Sequence, residues 1–210
     1  MWGLVNQVSD VLAQNPELAI LIAFAAAIIE AVAVLGILIP GTPILMAVAG
    51  AAAMADMPIT PILVVSIVGC IIGDGISFWL GHRYSGRLRA SWPFKTRPWL
   101  MQRADAFFRR YGTMSVALCR FIPVLRSTVP LVAGMAGMRR QSFVIANVSS
   151  AFVWAPVHVL PAHFAGRSIL DIQEGHWQSA AMWGGGVLAF TLLLVALHRM
   201  VKARRPPSPT

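Results

Sequence analysis

Four apolar segments, each long enough to cross a lipid bilayer, limit how this chain can fold. They are residues 17–39, 62–81, 141–165 and 177–198. About 20 mainly apolar residues are enough to span the hydrocarbon core as a helix. Of the 210 residues, 57% are hydrophobic and only 12% are charged, about half the charged share of a typical soluble domain. The sequence therefore predicts an all-α polytopic membrane protein.

The net charge of +9 comes from basic clusters that lie between and after the apolar segments. Residues 82–110 hold eight of the seventeen lysines and arginines, and another cluster follows the last apolar segment. By the positive-inside rule, the basic loop 82–110 and both termini are expected in the cytoplasm. Such clusters meet anionic lipid head groups, which favours membrane lipids over nucleic acid as partners.

Two apolar stretches contain helix breakers and do not fit simple spanning helices. The motif PGTP at residues 40–43 precedes a short apolar piece, and prolines and glycines interrupt residues 113–138. Arg139 and Arg140 follow at once, which favours a segment that enters and leaves the membrane on one side. We therefore predict two re-entrant hairpins, one at about residues 40–57 from the outer side and one at 113–138 from the cytoplasmic side.

These features together predict an inverted repeat of spanning helices with two opposed re-entrant hairpins, an architecture known from transporters. Residues 1–15 are predicted to form an N-terminal amphipathic helix on the membrane surface, with a loose extension as the alternative. Residues 16–200 would then form the membrane transport domain. Residues 201–210 are expected to be a disordered cytoplasmic tail.

Four ionisable residues lie inside apolar segments, namely Glu30, Asp74, Arg120 and Arg126. Arginine stays charged and its planar guanidinium group matches phosphate oxygens, so the two arginines are candidate phosphate-binding residues. A carboxylate placed between an arginine and an apolar pocket can take up and release a proton, so the two acids are candidate proton carriers. The alternative is a pair of buried ion pairs that only brace the fold, and either acid could pair with either arginine.

Helix breaks near these charges would free backbone groups to line a cavity and bind anions. The breakers predicted to line the site are Pro40, Gly41, Thr42, Pro123, Pro130 and Gly134. Gly69 and Gly73 lie one turn apart and are expected to let another helix approach closely. Cys70 and Cys119 are interpreted as small apolar residues, and His158 and His163 as packing or interfacial residues with a proton relay as the alternative.

Motifs for metal or nucleotide chemistry are missing from the sequence, which contains no HExxH, CxxC, Walker or GxGxxG pattern. No metal and no cofactor is therefore expected. An intramembrane lipid enzyme is disfavoured because no nucleophile with a base emerges. The expected partners are anionic membrane lipids and protons, with a homodimer left open.

Several motifs resemble the DedA family of bacterial membrane proteins, which carry the SNARE-associated or VTT domain. The block Arg120-Phe121-Ile122-Pro123-x-x-Arg126 with Pro130 and Ala133-Gly134 is the most specific. The resemblance spans roughly residues 17–166. Its other elements are Glu30 with LxxxxPG at 35–41, Gly73-Asp74 with an aromatic residue and GH/R at 78–83, the FxRYG-like residues 108–112, and Phe143, Trp154 and Gly166.

This resemblance implies a multi-pass protein of the bacterial inner membrane that transports or flips an anionic lipid phosphate. It implies undecaprenyl (polyprenyl) phosphate recycling as the first candidate function, possibly coupled to protons. Phospholipid scrambling, or a non-transporting structural role in membrane homeostasis, is the alternative. Family members often carry an acid directly after the first PG, where this chain has Thr42, so Asp74 would have to supply the second carboxylate.

Overall fold

The computed structural model describes residues 7, 10–33, 35–89, 95–96 and 98–203, and every regular element among them is helical. The prediction of an all-α protein is therefore confirmed. The helices are α1 (Pro16–Ala31), α2 (Leu35–Leu38), α3 (Gly41–Met54), α4 (Ile59–Arg89), α5 (Pro98–Tyr111), α6 (Met114–Leu118), a 3-10 turn (Cys119–Phe121), α7 (Pro123–Arg126), α8 (Thr128–Met135), α9 (Arg140–Gln173) and α10 (Trp177–Ala203).

Helices α4 and α9 are long and apolar enough to cross a membrane. In α4 the polar side chains Ser66, Asp74 and Ser77 are buried. The opposite face exposes large apolar side chains at helical spacing, namely Val64, Val68, Ile72, Ile76 and Trp79. Polar groups inside and apolar groups outside suit a helix surrounded by lipid, because ionisable residues in membranes face the protein interior.

The predicted crossing at residues 17–39 is wrong as a single helix. Helix α1 ends at Ala31, and its 16 residues span about 24 Å, less than the hydrocarbon core of about 30 Å. The backbone turns away at Val32 (φ −76°, ψ 124°). Ser77 of α4 supplies hydrogen bonds to backbone groups at the break. Its hydroxyl accepts from the N–H of Ala33 at 2.9 Å and donates to the carbonyl of Ala31 at 3.0 Å.

The basic region at residues 82–110 is not an open loop. Helix α4 continues to Arg89 with a kink at Tyr84, and α5 occupies much of the remainder. Helix α5 is amphipathic: Met101 and Ala104 pack with residues of α8, while Arg103 and Arg109 are exposed. An apolar face on one side explains why a strongly basic stretch is helical.

The final third is also more helical than predicted. Helix α9 runs through most of the predicted outer loop at 167–176 and ends at Gln173. Helix α10 covers the predicted last crossing and reaches Ala203, so residues 201–203 are not a disordered tail. Residues 204–210, residues 1–6 and 8–9 of the N-terminal segment, and residues 90–94, 97 and 34 lie outside the described residues.

The two predicted hairpin regions end in the same kind of turn, although residues 40–57 hold the single helix α3 and residues 113–138 are divided into α6, the 3-10 turn, α7 and α8. At the end of α3, the N–H groups of residues 55–57 donate to the carbonyls of residues 51, 53 and 52. At the end of α8, those of residues 136–138 donate to the carbonyls of 132, 134 and 133. Asp56 and Gly137 hold the left-handed conformation at the matching point, with φ of 56° and 71°. Each turn leads directly into a long helix, α4 or α9.

Glycines let each of these shorter helices press against the long helix of the other half. A Cβ on Gly134 of α8 would lie 2.1 Å from the carbonyl oxygen of Phe78 in α4. A Cβ on Gly166 of α9 would lie 2.2 Å from the carbonyl oxygen of Gly50 in α3. Gly69 and Gly73 also bring α4 close to α1, since a Cβ would lie 2.9 Å from the carbonyl oxygen of Phe24 and 2.6 Å from the Cβ of Ala31, respectively. The predicted packing role of these two glycines is therefore confirmed.

Candidate functional site: two buried ion pairs

The four charged residues inside apolar segments come from both halves of the chain. Glu30 lies in the last turn of α1, and Asp74 lies within α4. Arg120 sits in the 3-10 turn, and Arg126 ends α7. The broken stretch between α6 and α8 thus supplies both arginines, while the first half supplies both acids.

Glu30 and Arg126 form the first ion pair. Arg126 Nη1 donates to Glu30 Oε1 at 2.6 Å, and the side chains of Arg126 and Glu30 are 6% and 10% exposed, respectively. Thr42 lies beside both: its hydroxyl donates to Glu30 Oε1 and accepts from Arg126 Nη1 at 3.2 Å. The position directly after the first PG, where the family resemblance implies a second acid, is therefore occupied by a neutral side chain that bonds to this pair.

Asp74 and Arg120 form the second ion pair, with Arg120 Nη2 at 2.6 Å from Asp74 Oδ2. Their side chains are only 4% and 1% exposed. Asn147 of α9 supports them, because its side-chain oxygen and its backbone carbonyl both accept from Arg120 Nη2. Asn147 Nδ2 also donates to the carbonyl of Ile71 at 3.1 Å, which ties α9 to α4 at this pair.

Arg126 has two further neighbours that complete its surroundings. Its Nη2 donates to the Cys70 sulfur at 3.6 Å, and its guanidinium carbon lies 4.3 Å from the centre of the Trp154 ring. Five separate helices therefore meet at this arginine: α7, which carries it, and α1, α3, α4 and α9, which supply its partners.

The predicted breakers surround the Glu30–Arg126 pair unequally. Helix α3 begins at Gly41, with Pro40 at its N-cap and no side chain capping it. A Cβ on Gly41 would lie 2.7 Å from Glu30 Cβ, so glycine allows the start of α3 to reach the acid. Pro123 begins α7, whereas Pro130 is buried in α8 and Gly134 packs on α4.

Several buried polar atoms at the two pairs have no hydrogen-bond partner among the described residues. They are Glu30 Oε2, Arg120 Nε and Nη1, and Trp154 Nε1. A buried polar group without a partner costs about 1–3 kcal/mol. Glu30 Oε2 lies beside the uncapped start of α3, since a Cβ on Gly41 would be 3.1 Å from it. The start of α3 and the guanidinium group of Arg126 together give this part of an apolar protein the chemistry of an anion site.

Three residues of the site were missed or misjudged from the sequence. Cys70 was interpreted only as a small apolar residue, Trp154 only as a family feature, and Asn147 was not singled out. Asn147 carried a usable signal, because a lone amide within an apolar helix is costly in lipid unless it is bonded. Asn147 and Trp154 also lie two turns apart on α9, which places them on one face of that helix.

The two histidines of α9 lie in different surroundings. His158 Nδ1 bonds to the carbonyl of Trp154 at 2.9 Å, and its ring lies 4.7 Å from the Trp154 ring. His163 is buried and lies beside Phe164. The packing interpretation agrees with these contacts.

One group of possible metal ligands lies apart from the ion pairs. Asp171, Glu174 and His176, at the end of α9, have ligand atoms within 4.8 Å of one another. Glu174 and His176 are exposed to solvent, and exposed acidic groups of this kind are common without a bound ion.

Comparison with known proteins places the chain among membrane proteins. The VTT domain model matches residues 39–164. The inner membrane protein YabI of Escherichia coli (strain K12) is 28% identical over 176 residues, which cover 79% of this chain and 69% of that protein. An uncharacterized membrane protein of Synechocystis sp. is 30% identical over 156 residues, which cover 70% of this chain and 69% of that protein. The comparison with solved structures gave no match.

The chain spans only 55% of a third relative, an uncharacterized membrane protein of Buchnera aphidicola subsp. Baizongia pistaciae, to which it is 26% identical. Activities of whole relatives therefore do not transfer directly. The family itself is shown, because its domain model covers more than half of the chain and includes Thr42, Asp74, both arginines, Asn147 and Trp154. The chain belongs to the DedA family of VTT-domain membrane proteins.

Proposed function

We propose that this protein is a transporter that moves an anionic lipid phosphate between the two leaflets of the bacterial inner membrane. Undecaprenyl (polyprenyl) phosphate is the first candidate, on the basis of the family resemblance. The observation that carries the proposal is the position of Arg126. It is a permanent cation buried between five helices, next to an acid and to the uncapped start of α3.

An anion at this place would meet three kinds of donor. Arg126 offers its planar guanidinium group, Thr42 offers its hydroxyl, and the first turn of α3 offers backbone N–H groups and a favourable helix dipole. Glu30 occupies the position now, since its carboxylate bonds to both Arg126 and Thr42. We infer that Glu30 and the lipid phosphate compete for the same donors.

Competition of this kind gives protons a role. A protonated Glu30 has no charge with which to hold Arg126, so uptake of a proton would release the arginine to the phosphate, and loss of the proton would expel the phosphate. Thr42 cannot titrate, so Glu30 is the candidate proton carrier at this pair. The lipid tails would remain in the bilayer while the head group crosses.

The architecture proposed for this movement is an inverted repeat with two opposed re-entrant hairpins and cytoplasmic termini. Its support is the matching hydrogen-bond pattern at the ends of α3 and α8 and the contact of each with the long helix of the other half. The basic stretch 82–110 and the basic tail favour the cytoplasm for the ends of α4 and α10. We further propose that the protein is not an enzyme.

The Asp74–Arg120 pair supports a second candidate function. It is almost fully enclosed and bonded to Asn147, as expected of a brace. A structural membrane-homeostasis protein would need only such braces. A phospholipid scramblase would use the same anion site with less selectivity for the head group.

Reconstitution into liposomes tests the proposal. Purified protein is placed in vesicles, and the transbilayer movement of labelled polyprenyl phosphate and of labelled phospholipid is measured with and without a pH gradient. We expect movement of the polyprenyl phosphate to depend on the gradient. Arg126→Ala should reduce it by about a hundredfold, because it removes charge-assisted hydrogen bonds to a buried anion. Glu30→Gln should abolish the gradient dependence.

Arg167→Ala is the matched control, because it removes an arginine whose ion pair with Asp56 is largely exposed. It should leave the flux unchanged. Normal flux in folded Arg126→Ala would disprove the phosphate site. Equal flux of phospholipid and polyprenyl phosphate would favour scrambling, and no flux of any lipid in the parent protein would favour the structural role.

A further inference from the structure

Trp154 has the most completely buried large side chain near the ion pairs. It is 0% exposed, although tryptophan is rarely buried so completely. Its ring lies under the guanidinium group of Arg126, with the guanidinium carbon 4.3 Å from the ring centre. A guanidinium group this close to a ring face is attracted by the ring quadrupole, and more strongly where water is absent.

This contact differs in kind from the other contacts of Arg126. Glu30, Thr42 and Cys70 each accept a hydrogen bond from the nitrogens of the guanidinium edge. The ring of Trp154 approaches the guanidinium carbon and uses none of the N–H groups, because a stacked contact leaves the five donors of the fork in its plane. A phosphate that replaces Glu30 therefore competes with the edge partners and not with Trp154.

The indole N–H of Trp154 adds a second observation. Trp154 Nε1 is buried and has no hydrogen-bond partner among the described residues. A phenylalanine would give a similar stacked contact without an unsatisfied donor. This unused donor belongs to the ring that contacts the arginine of the proposed anion site, and an oxygen of the bound anion would satisfy it.

We propose that Trp154 completes the anion site by seating Arg126 on its ring and by donating its indole N–H to the bound phosphate. This inference rests on the proposed function, because it assigns Trp154 a task within the same site. The ring keeps Arg126 in position after the bond to Glu30 is broken. The N–H then contributes affinity for the anion, so the two tasks of one side chain can be separated by substitution.

The seating task can be tested without any lipid. Phenylglyoxal, which modifies arginine, is applied to purified protein, and mass spectrometry measures modification at Arg126. In Glu30→Gln the ion pair is lost, but Trp154 should still hold Arg126, so the rate of modification at Arg126 should stay within about twofold of the rate in the parent protein. In Glu30→Gln/Trp154→Leu the rate should rise by at least about tenfold. Arg120, enclosed by its own pair, serves as an internal control for folding and should stay protected in both variants.

The donor task is tested in the liposome assay. Trp154→Phe keeps an aromatic ring and removes the N–H, so the apparent KM for polyprenyl phosphate should rise about tenfold with little change in maximal rate. Trp154→Leu removes both and should also lower the maximal rate. Trp79→Leu is the matched control, since Trp79 lies on the exposed face of α4 at 53% exposure, and it should match the parent in both constants.

The two experiments fail in different ways. Equal modification of Arg126 in Glu30→Gln and in the double variant would overturn the seating task. An unchanged KM in Trp154→Phe would overturn the donor task. If the parent protein moves no lipid, the proposed function fails, and the modification rates still decide whether the ring holds Arg126.

Discussion

The two ion pairs use the same chemistry in different surroundings. Asp74 and Arg120 are enclosed on both sides by α4 and α9 and are fixed by Asn147. Glu30 and Arg126 lie at the broken ends of α1 and α7 and beside the start of α3. Arg120 lies in the 3-10 turn, but its bonded partners lie inside continuous helices. At the other pair, Glu30, Arg126 and Thr42 all lie at helix ends, where backbone groups remain free.

This difference separates a brace from a binding site. A buried ion pair is seldom kept for stability alone, because the cost of removing both charges from water offsets most of their attraction. Within continuous helices that cost secures a unique alignment of α4, α9 and the 3-10 turn. At helix ends, we propose, the same cost provides a place where one anion can replace another. We therefore propose a bracing role for Asp74–Arg120, in place of the phosphate-binding role predicted for Arg120, and anion exchange for Glu30–Arg126.

The largest expected effect is the loss of the brace. Arg120→Ala leaves Asp74 charged, buried and unpaired, and should lower the free energy of unfolding by about 3–5 kcal/mol. Thermal unfolding in detergent, followed by loss of the monodisperse peak in size-exclusion chromatography, measures it. Asp74→Leu/Arg120→Leu should recover most of the stability, because apolar side chains of similar volume can replace a buried pair. A double variant as unstable as Arg120→Ala would count against the brace.

A medium effect is expected from Arg126→Lys. Lysine keeps the charge but loses the planar fork and the stacked contact with Trp154. We expect stability close to that of the parent and a loss of polyprenyl phosphate flux of about tenfold, as for one charge-assisted hydrogen bond. Initial rates in liposomes test this. Arg120→Lys should show the reverse pattern, with a larger loss of stability than of flux per folded molecule, and identical patterns in the two variants would erase the distinction between the pairs.

The smallest effect is expected from Thr42→Val. The substitution keeps the side-chain shape and removes the hydroxyl that bonds to Glu30 and Arg126. The unfolding free energy should fall by about 1 kcal/mol, with a flux loss of less than about tenfold. Thr42→Ser keeps the hydroxyl and is the matched control. A Thr42→Val protein indistinguishable from the parent in both measurements would mean that the hydroxyl contributes nothing to the site.

Local sequence features were sufficient to predict much of the fold. Apolar segment length predicted the regions of α4, α9 and α10, and the Pro-Gly motif at residues 40–41 marked the start of α3. The break at Val32 was not predictable, since no proline or glycine marks it. It depends on Ser77, which bonds there from a distant part of α4. The helicity of α5 was obscured by its basic residues, although its apolar face packs against α8.

The charged residues of the site could be predicted from the sequence, but the way they pair could not. An ionisable residue inside an apolar segment is visible in the sequence because it is costly in lipid. Which acid meets which arginine depends on how α1, α4 and the broken stretch between α6 and α8 cross, and no local pattern encodes that. The neutral partners were hidden because a cysteine or tryptophan in an apolar helix resembles an ordinary core residue.

The hydroxyl of Ser77 also has a mechanical consequence. It joins the broken end of α1 to α4, and it lies nearly one turn after Asp74 on that helix. Glu30 is one residue before Ala31, whose carbonyl accepts from Ser77. Glu30 and Asp74 therefore lie on two helices that are bonded to each other close to both acids. Both arginines lie on the broken stretch between α6 and α8, so any displacement of that stretch relative to α1 and α4 would act on both ion pairs.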